Sequence, residues 1–181
     1  MKYNILIGLI CFLFFYCSSK KQENKKDAPS IVVEKFYSWY LDSLYENGKI
    51  NTPDVVLTKD SVYRLDGTKF ISLLRQSEFF SQSFIQDQQN LIQRCDDDLN
   101  NSDAQKMYKE AGFMAVESRN CSFMNYFPWI GGQGEEIKKV NIISSKIEGD
   151  KAKIIVKAIE TVSIELLRDN TKWKIEKIYI P

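Results

Sequence analysis

The chain has 181 residues, of which 25 are basic and 24 acidic, and it contains no histidine. This near balance of charge gives no case for a nucleic-acid partner, which usually requires a basic face that neutralises several phosphates. The absence of histidine excludes Ser-His-Asp triads, histidine general bases and histidine-rich zinc sites. No other pattern in the sequence indicates a cofactor, and we expect none.

The N-terminus carries the clearest signal in the sequence. Twelve uncharged, mostly large apolar residues occupy positions 5–16, whereas a membrane-spanning helix needs about 20. The run therefore suits the apolar region of a signal peptide. It closes at Cys17, and the polar residues 18–21 follow at once.

This junction resembles the processing site of bacterial lipoproteins, in which the cysteine becomes the first residue of the mature chain and carries the acyl chains. It departs from that pattern at residues 14–16, where two phenylalanines and a tyrosine stand in place of a small residue. We predict a signal peptide over residues 1–16 and lipid attachment at Cys17. The alternatives are an uncleaved N-terminal anchor and a secretory peptide cut elsewhere.

The predicted location is the bacterial cell envelope, lipid-anchored on the periplasmic side or at the cell surface, so the membrane is the first predicted partner. Residues 17–29 comprise the lipidated cysteine and a polar, lysine-rich tether without periodicity. Residues 30–181 are predicted to form a single α+β domain.

Helical periodicity dominates the first part of this domain. Pro29 and Ser30 are expected to open a helix with Ser30 as its N-cap, and an aromatic stripe follows at three- and four-residue spacing. Further helices are predicted over residues 68–75 and 81–98. Ser102 and Gln105 have the spacing of a capping box and predict one or two more helical turns.

From residue 138 the apolar period changes from 3.6 to 2. Four alternating runs, separated by short turns at residues 148–150 and 169–171, predict an antiparallel meander. Helices followed by a sheet, each with one apolar face, indicate a two-layer α+β domain in which N-terminal helices cover a C-terminal antiparallel sheet of three or four strands.

Three segments carry a resemblance to known proteins: FYSWYL at residues 36–41, LLRQSEFFS at residues 73–81 and WKI at residues 173–175. Together they resemble an uncharacterised family of bacterial secreted proteins and lipoproteins whose fold is similar to the nuclear-transport-factor-two-like (cystatin-like) superfamily. The resemblance covers roughly residues 31–180. It implies a curved sheet wrapped on helices, with a cone whose mouth can hold a small ligand, and it leaves function open because such folds serve enzymes, binders and interaction modules alike.

Cys95 and Cys121 are the cysteines that remain beyond Cys17, since Cys11 lies inside the apolar leader. In an oxidising compartment pairing is the default, so we predict a disulfide between them. Two separately buried thiols are the alternative.

The acidic run at residues 96–98 invites comparison with a calcium loop. EF-hand registers that start at Asp96 or Asp98 both fail, because Asn101 or Asp103 falls where glycine is required and Met107 or Lys109 where a bidentate glutamate is required. We therefore expect a solvated helix end and no metal site. The later glycine-rich residues 131–134 lack the lysine ending of a phosphate-binding loop and predict a turn.

Apolar and aromatic side chains crowd residues 123–129 just before that turn. So dense a segment either packs over the open end of the core or forms a recognition surface. The candidate pocket or partner-surface residues are Trp39, Arg119, Phe123, Tyr126, Phe127 and Trp129.

The expected function is that of a non-enzymatic envelope lipoprotein that binds a small molecule, a peptide or a protein. One alternative is a protein-interaction or immunity-type module. The other is an enzyme of the isomerase or dehydratase kind, which needs a carboxylate and a hydroxyl donor in an apolar pocket. Its residue types are supplied by Glu117, Glu160, Glu165, Tyr63 and Tyr126.

Overall fold

A computed structural model of the protein describes residues 28–43, 53–111, 121, 129–132 and 137–181. The predicted signal peptide, Cys17 and most of the tether lie outside these residues. So do four of the candidate surface residues, namely Arg119, Phe123, Tyr126 and Phe127. The described residues form a mixed helix and sheet structure, which confirms the α+β class.

Four helices are present in the described part of the chain, and all precede the larger sheet. They are α1 (Pro29–Leu41), α2 (Thr68–Ser77), α3 (Gln82–Leu99) and α4 (Ser102–Ala111). The helices predicted over residues 68–75 and 81–98 are thereby confirmed to within a few residues at their ends.

The strands form one two-stranded and one four-stranded antiparallel sheet. The first contains β1 (Asp54–Leu57) and β2 (Tyr63–Asp66); the second contains β3 (Asn141–Glu148), β4 (Lys151–Lys157), β5 (Thr161–Asp169) and β6 (Lys172–Tyr179) in the order β3-β4-β5-β6. This is the predicted meander. The hairpin β1–β2 is an addition to the predicted elements.

Helix α1 begins one residue before its predicted cap. Pro29 occupies the first turn, where a missing N–H costs no hydrogen bond, and Ala28 stands at the N-cap without a side-chain hydrogen bond. The prediction that Ser30 caps the helix is therefore wrong. Helix α3 follows the more usual rule, because the Ser81 hydroxyl accepts from the Phe84 N–H at 3.0 Å.

The meander owes its register to tight turns and two bulges. Gly149 (φ +60°) and Asn170 (φ +56°) adopt left-handed backbone in the β3–β4 and β5–β6 turns. One bulge falls at Ile143 in β3 and the other at Glu176 in β6, where the pairing skips a residue.

Alternation along the strands gives the larger sheet an apolar inner face and a polar outer face. On β4, the inner residues Ala152, Ile154 and Val156 are buried, whereas Lys151 and Lys153 point outward and are exposed. Helices α1 and α3 pack on the inner side, α1 against β4 and β6 and α3 against β6. This is the predicted two-layer arrangement.

The link between α2 and α3 runs along the sheet rather than away from it. Phe80 forms a parallel bridge with Ile175, with hydrogen bonds from the Ser81 N–H to the Ile175 carbonyl and from the Ile175 N–H to the Phe79 carbonyl, both within 2.9 Å. Phe80 thereby reaches the inner face, where its ring stacks 4.5 Å from that of Phe84.

The helices of the described residues are not of the membrane-crossing type, since none is both long and apolar enough to span a bilayer.

Candidate binding surface

The outer face of the four-stranded sheet carries many charged side chains. Six lysines point outward from β3, β4 and β6, and three glutamates lie among them on β3, β5 and β6, namely Glu148, Glu165 and Glu176. We call this set of lysines the lysine face: Lys146, Lys151, Lys153, Lys157, Lys174 and Lys177.

The strand register sets these side chains in rows. One row crosses all four strands from Lys146 through Lys153 and Glu165 to Lys177. The next row places Lys151 and Lys174 on either side of Leu167, which is 38% exposed, and the Lys174 ammonium donates to the Glu78 carbonyl. Neighbouring strands lie about 4.8 Å apart, so each row is a closely spaced array of charges.

Glu165 does not simply neutralise the lysine beside it. The Tyr179 hydroxyl donates to the Glu165 carboxylate at 2.8 Å and accepts from the Lys153 ammonium at 3.0 Å. The ammonium also lies 5.4 Å from the centre of the tyrosine ring. The hydrogen bond from the Lys153 ammonium to the Tyr179 hydroxyl, together with the charge of Tyr179 when ionised, raises the pKa of Lys153 above its ordinary value.

An open depression of about 520 Å³ lies over the same strands. Its charged lining residues are four lysines and three glutamates: Lys146, Lys151, Lys153, Lys177, Glu148, Glu165 and Glu176. Lys146 and Glu148 form an ion pair at 2.7 Å, with both side chains at least 70% exposed. Exposed pairs of this kind contribute little to stability, so these charges are available to another molecule.

The sequence-predicted surface residues that the structure describes lie elsewhere. Trp39 is partly buried against the core, with its ring 5.6 Å from that of Phe79. Trp129 is 5% exposed and sits at the centre of the aromatic cluster. Its ring centroid lies within 6.3 Å of those of Phe36, Tyr40, Phe70, Phe80 and Phe84.

A hydrogen bond fixes this tryptophan from the backbone side. The Tyr37 hydroxyl donates to the Trp129 carbonyl at 2.8 Å, and burial raises the pKa of that hydroxyl well above its ordinary range. The aromatic segment was expected either to pack over the core or to form a recognition surface, and Trp129 packs into the core. Its ring belongs to the interior rather than to a binding surface.

The turn after Trp129 is held by close contact with the β4–β5 connection. The Ile130 carbonyl accepts from the N–H groups of Ile159 and Glu160, at 3.0 and 3.2 Å. Gly131 has φ +72°, and a Cβ there would lie 2.6 Å from the Cβ of Glu160. The predicted glycine turn is confirmed here, and its glycine is required by both conformation and space.

The predicted disulfide is confirmed. Cys95 on α3 is bonded to Cys121, and both residues are buried. The bridge fixes position 121 against α3, 26 residues away along the chain.

Asp96 corrects the expectation of a solvated acidic helix end. It is 6% exposed, because the buried stripe of α3 continues through Ile92, Cys95 and Leu99 and carries Asp96 inward. Its carboxylate accepts from the Arg64 guanidinium through two nitrogens and from the Leu65 N–H at 2.7 Å. A buried charge is tolerated where it is paired and hydrogen-bonded in this way.

Burial alone would raise the pKa of Asp96. The hydrogen bonds from Arg64 and from the Leu65 N–H, with the positive charge of the guanidinium, outweigh it and hold the pKa below its ordinary value. The described residues contain no cluster of three potential metal ligands here or elsewhere.

Gln105 makes the second polar attachment of the β1–β2 hairpin. Its side chain accepts from the Tyr63 N–H and donates to the Tyr63 and Leu99 carbonyls, each at 2.8 Å. The predicted capping box is therefore wrong. Asn101 caps α4 instead, accepting from the Asp103 N–H at 2.9 Å, and Gln105 is free to bind the hairpin.

Of the residues considered for isomerase chemistry, the three that the structure describes are not brought together. Tyr63 stacks on Tyr108 in the hairpin region, with ring centroids 4.5 Å apart. Glu165 lies on the outer sheet face and Glu160 is exposed in the β4–β5 connection. Glu117 and Tyr126 fall outside the described residues.

Sequence reasoning missed the lysine face, although part of its signal was present. Lys151, Lys153 and Lys157 occupy the positions that alternate with the apolar residues of β4. Their meeting with Lys146 and Lys177 depends on register across two bulges, which one sequence does not reveal. Comparison with known proteins yields no relative: no protein-family model, curated protein or solved structure matches the chain.

Proposed function

We propose that this protein is a bacterial envelope lipoprotein, anchored through Cys17, that acts by binding an anionic partner through the lysine face. The observation that carries the proposal is the excess of charge on one exposed side of the sheet. Six lysines stand there against three glutamates, Glu148, Glu165 and Glu176, in a chain whose overall net charge is only +1.

The stability of the fold does not account for these charges. Surface lysines on a solvated sheet face contribute little to folding, and lysines opposite one another on neighbouring strands repel. Lys146 faces Lys153 directly across the β3–β4 pair. A partner of opposite charge would relieve this repulsion, and a surface potential of one sign attracts such partners.

The core argues for a surface site rather than an interior one. A nuclear-transport-factor-two-like cone would bind its ligand between the helices and the inner face of the sheet. In the described residues that space holds Trp129 and the rings around it, packed at ordinary aromatic distances. The superfamily resemblance stays part of the proposal, supported by helices that cover one face of an antiparallel meander.

The anchor is tested by mass spectrometry of the N-terminus of the mature protein purified from envelope membranes. A diacylated or triacylated Cys17 is the expected result. The matched control is Cys17→Ser, which should accumulate with its leader attached. An unacylated N-terminus elsewhere in the chain would contradict the anchor and leave the binding proposal to be tested alone.

The binding surface is tested with a defined soluble polyanion, dextran sulfate, titrated into the detergent-purified protein at low salt. The double variant Lys153→Gln/Lys177→Gln should bind at least tenfold more weakly than the wild type. The matched control is Lys106→Gln/Lys109→Gln on the exposed side of α4, which removes the same charge elsewhere. Equal weakening by both double variants would show that binding depends on the net charge of the protein and not on the lysine face.

A further inference from the structure

We infer that the lysine face docks flat on anionic lipid headgroups of the membrane that carries the protein. The inference deepens the proposed function, and rests on it, by naming membrane lipid as the anionic partner. It turns the sheet towards the bilayer and the helical layer away from it.

The arrangement of charge suits a surface better than a single bound anion. The row from Lys146 to Lys177 crosses four strands, a width of about 14 Å at the usual strand spacing. Lysine ammonium groups on long stems extend from such an array towards many headgroups at once. A lone phosphate would contact only one or two of them.

The centre of the array is amphipathic as well as basic. Leu167 is 38% exposed between Lys151 and Lys174. An apolar side chain among lysines is the composition that favours the boundary between headgroups and acyl chains. A soluble acidic protein would gain less from that leucine than a lipid interface would.

The helical layer offers no comparable surface. The exposed side of α3 carries Asp87 and Asp97 with Arg94, and that of α4 carries two lysines with Asp103 and Glu110. Helix α2 carries two basic residues, Lys69, which pairs with Asp54, and Arg75. An anionic membrane would repel these faces of mixed charge or attract them only weakly. Charge therefore selects the orientation.

The tether is long enough to allow the lysine face to lie against the membrane. Ten residues separate Cys17 from Ala28, and an extended chain of that length spans at most about 35 Å. A domain of this size has a radius of gyration of about 15 Å. The chain can thus pass from helix α1, on the inner layer, around the domain to a membrane below the sheet.

Each lysine close to an anionic bilayer shifts the bound population by about fivefold at low salt. With the anchor holding the domain at the surface, a few such contacts decide which side faces the lipid. The attraction fades beyond a Debye length of about 8 Å at physiological salt. Docking should therefore weaken steeply as salt rises.

Lysine footprinting on vesicles tests the docked orientation. The full chain is reconstituted into phosphatidylcholine vesicles with or without 30% phosphatidylglycerol. It is then methylated with formaldehyde and a neutral borane, and each lysine is quantified by mass spectrometry. Labelling of Lys146, Lys153 and Lys177 should fall at least threefold in the anionic vesicles, while Lys69 and Lys109 stay unchanged. Addition of 0.5 M KCl should restore the labelling.

Two variants refine the test. Lys153→Gln/Lys177→Gln should lose the protection of Lys146, whereas Lys106→Gln/Lys109→Gln should keep it. Equal labelling in both kinds of vesicle would overturn the inference. So would protection that appears in phosphatidylcholine vesicles only after envelope proteins are added, because that result would assign the lysine face to a protein.

The footprint is independent of how the N-terminus is held, since any membrane attachment places the domain at the surface. Flotation of the vesicles confirms attachment in each sample. Failure of acylation at Cys17 would therefore contradict the proposed anchor without changing the footprint, and an unprotected lysine face on floated protein would contradict docking alone.

Discussion

Arg64 on β2 and Asp96 on α3 form a two-nitrogen ion pair that attaches the β1–β2 hairpin to the helical layer. The same carboxylate accepts from the Leu65 N–H at 2.7 Å. Gln105 on α4 makes a second attachment by binding the N–H and the carbonyl of Tyr63, two residues before Leu65. Two side chains thus replace the strand partner that β2 lacks on this side.

Loss of the Asp96 carboxylate should destabilise the fold. Asp96→Ala leaves the Leu65 N–H without its acceptor and removes charge-assisted hydrogen bonds, so the free energy of unfolding should fall by about 2 kcal/mol. Urea denaturation followed by circular dichroism measures the change. Asp97→Ala is the matched control, because Asp97 is exposed, and it should stay within about 0.5 kcal/mol of the wild type. Similar losses in both variants would contradict the attachment.

The same ion pair predicts a pH dependence. Because the folded-state pKa of Asp96 lies below its ordinary value of about 3.9, its stabilisation is complete above that ordinary value and is lost as pH falls through the folded pKa. The difference in unfolding free energy between wild type and Asp96→Asn should therefore be largest near pH 6 and shrink below about pH 4. A difference that grew on acidification would show that the pKa is raised instead.

The helices and the meander were predictable from the sequence because each is set by local periodicity and turn residues. The 3.6-residue stripe of α3 and the alternation of β4 read directly as buried faces. The Cys95–Cys121 bridge was predicted from an expected oxidising compartment alone. None of these needs knowledge of which distant residues meet.

The wrong predictions for Asp96 and Gln105 share one cause, which is that a polar side chain has several possible hydrogen-bond partners. Asp96 resembled a solvated helix end, but its partner Arg64 is 32 residues away on a strand that the sequence did not reveal. Gln105 had the spacing of a capping box. Its side-chain amide instead forms hydrogen bonds with the backbone of Tyr63 and with the Leu99 carbonyl at the end of α3. Such choices are settled by tertiary packing.

Removal of the disulfide should lower stability without abolishing the fold. The bridge closes a loop of 26 residues, and the chain-entropy model assigns such a loop about 3 kcal/mol. In a background where Cys11 and Cys17 are serine, Cys95→Ser/Cys121→Ser should lose about that amount in urea denaturation. The reductant dithiothreitol should destabilise the parent and leave the double variant unaffected. Two free thiols in the denatured, unreduced parent would contradict the bridge.

The two left-handed glycines should differ in their tolerance of a side chain. Gly149 has φ +60° and open space around it, so Gly149→Ala should cost only the backbone strain of about 1 kcal/mol. At Gly131 the added Cβ also meets the Glu160 Cβ at 2.6 Å. Gly131→Ala should therefore lower the unfolding free energy more than Gly149→Ala, measured by thermal and urea denaturation. Equal effects would mean that the turn shifts to make room.

Tyr179 should raise the pKa of Lys153 on the lysine face. Tyr179→Phe removes the hydroxyl that accepts from the Lys153 ammonium and donates to Glu165, and with it the largest cause of the raised pKa of Lys153. That pKa should fall towards its ordinary value, as measured by NMR titration of ¹³C-dimethylated lysines. Tyr63→Phe, in the β1–β2 hairpin, should leave the Lys153 titration unchanged. A Lys153 resonance with the same titration in all three proteins would show that the ammonium does not bind Tyr179 in solution.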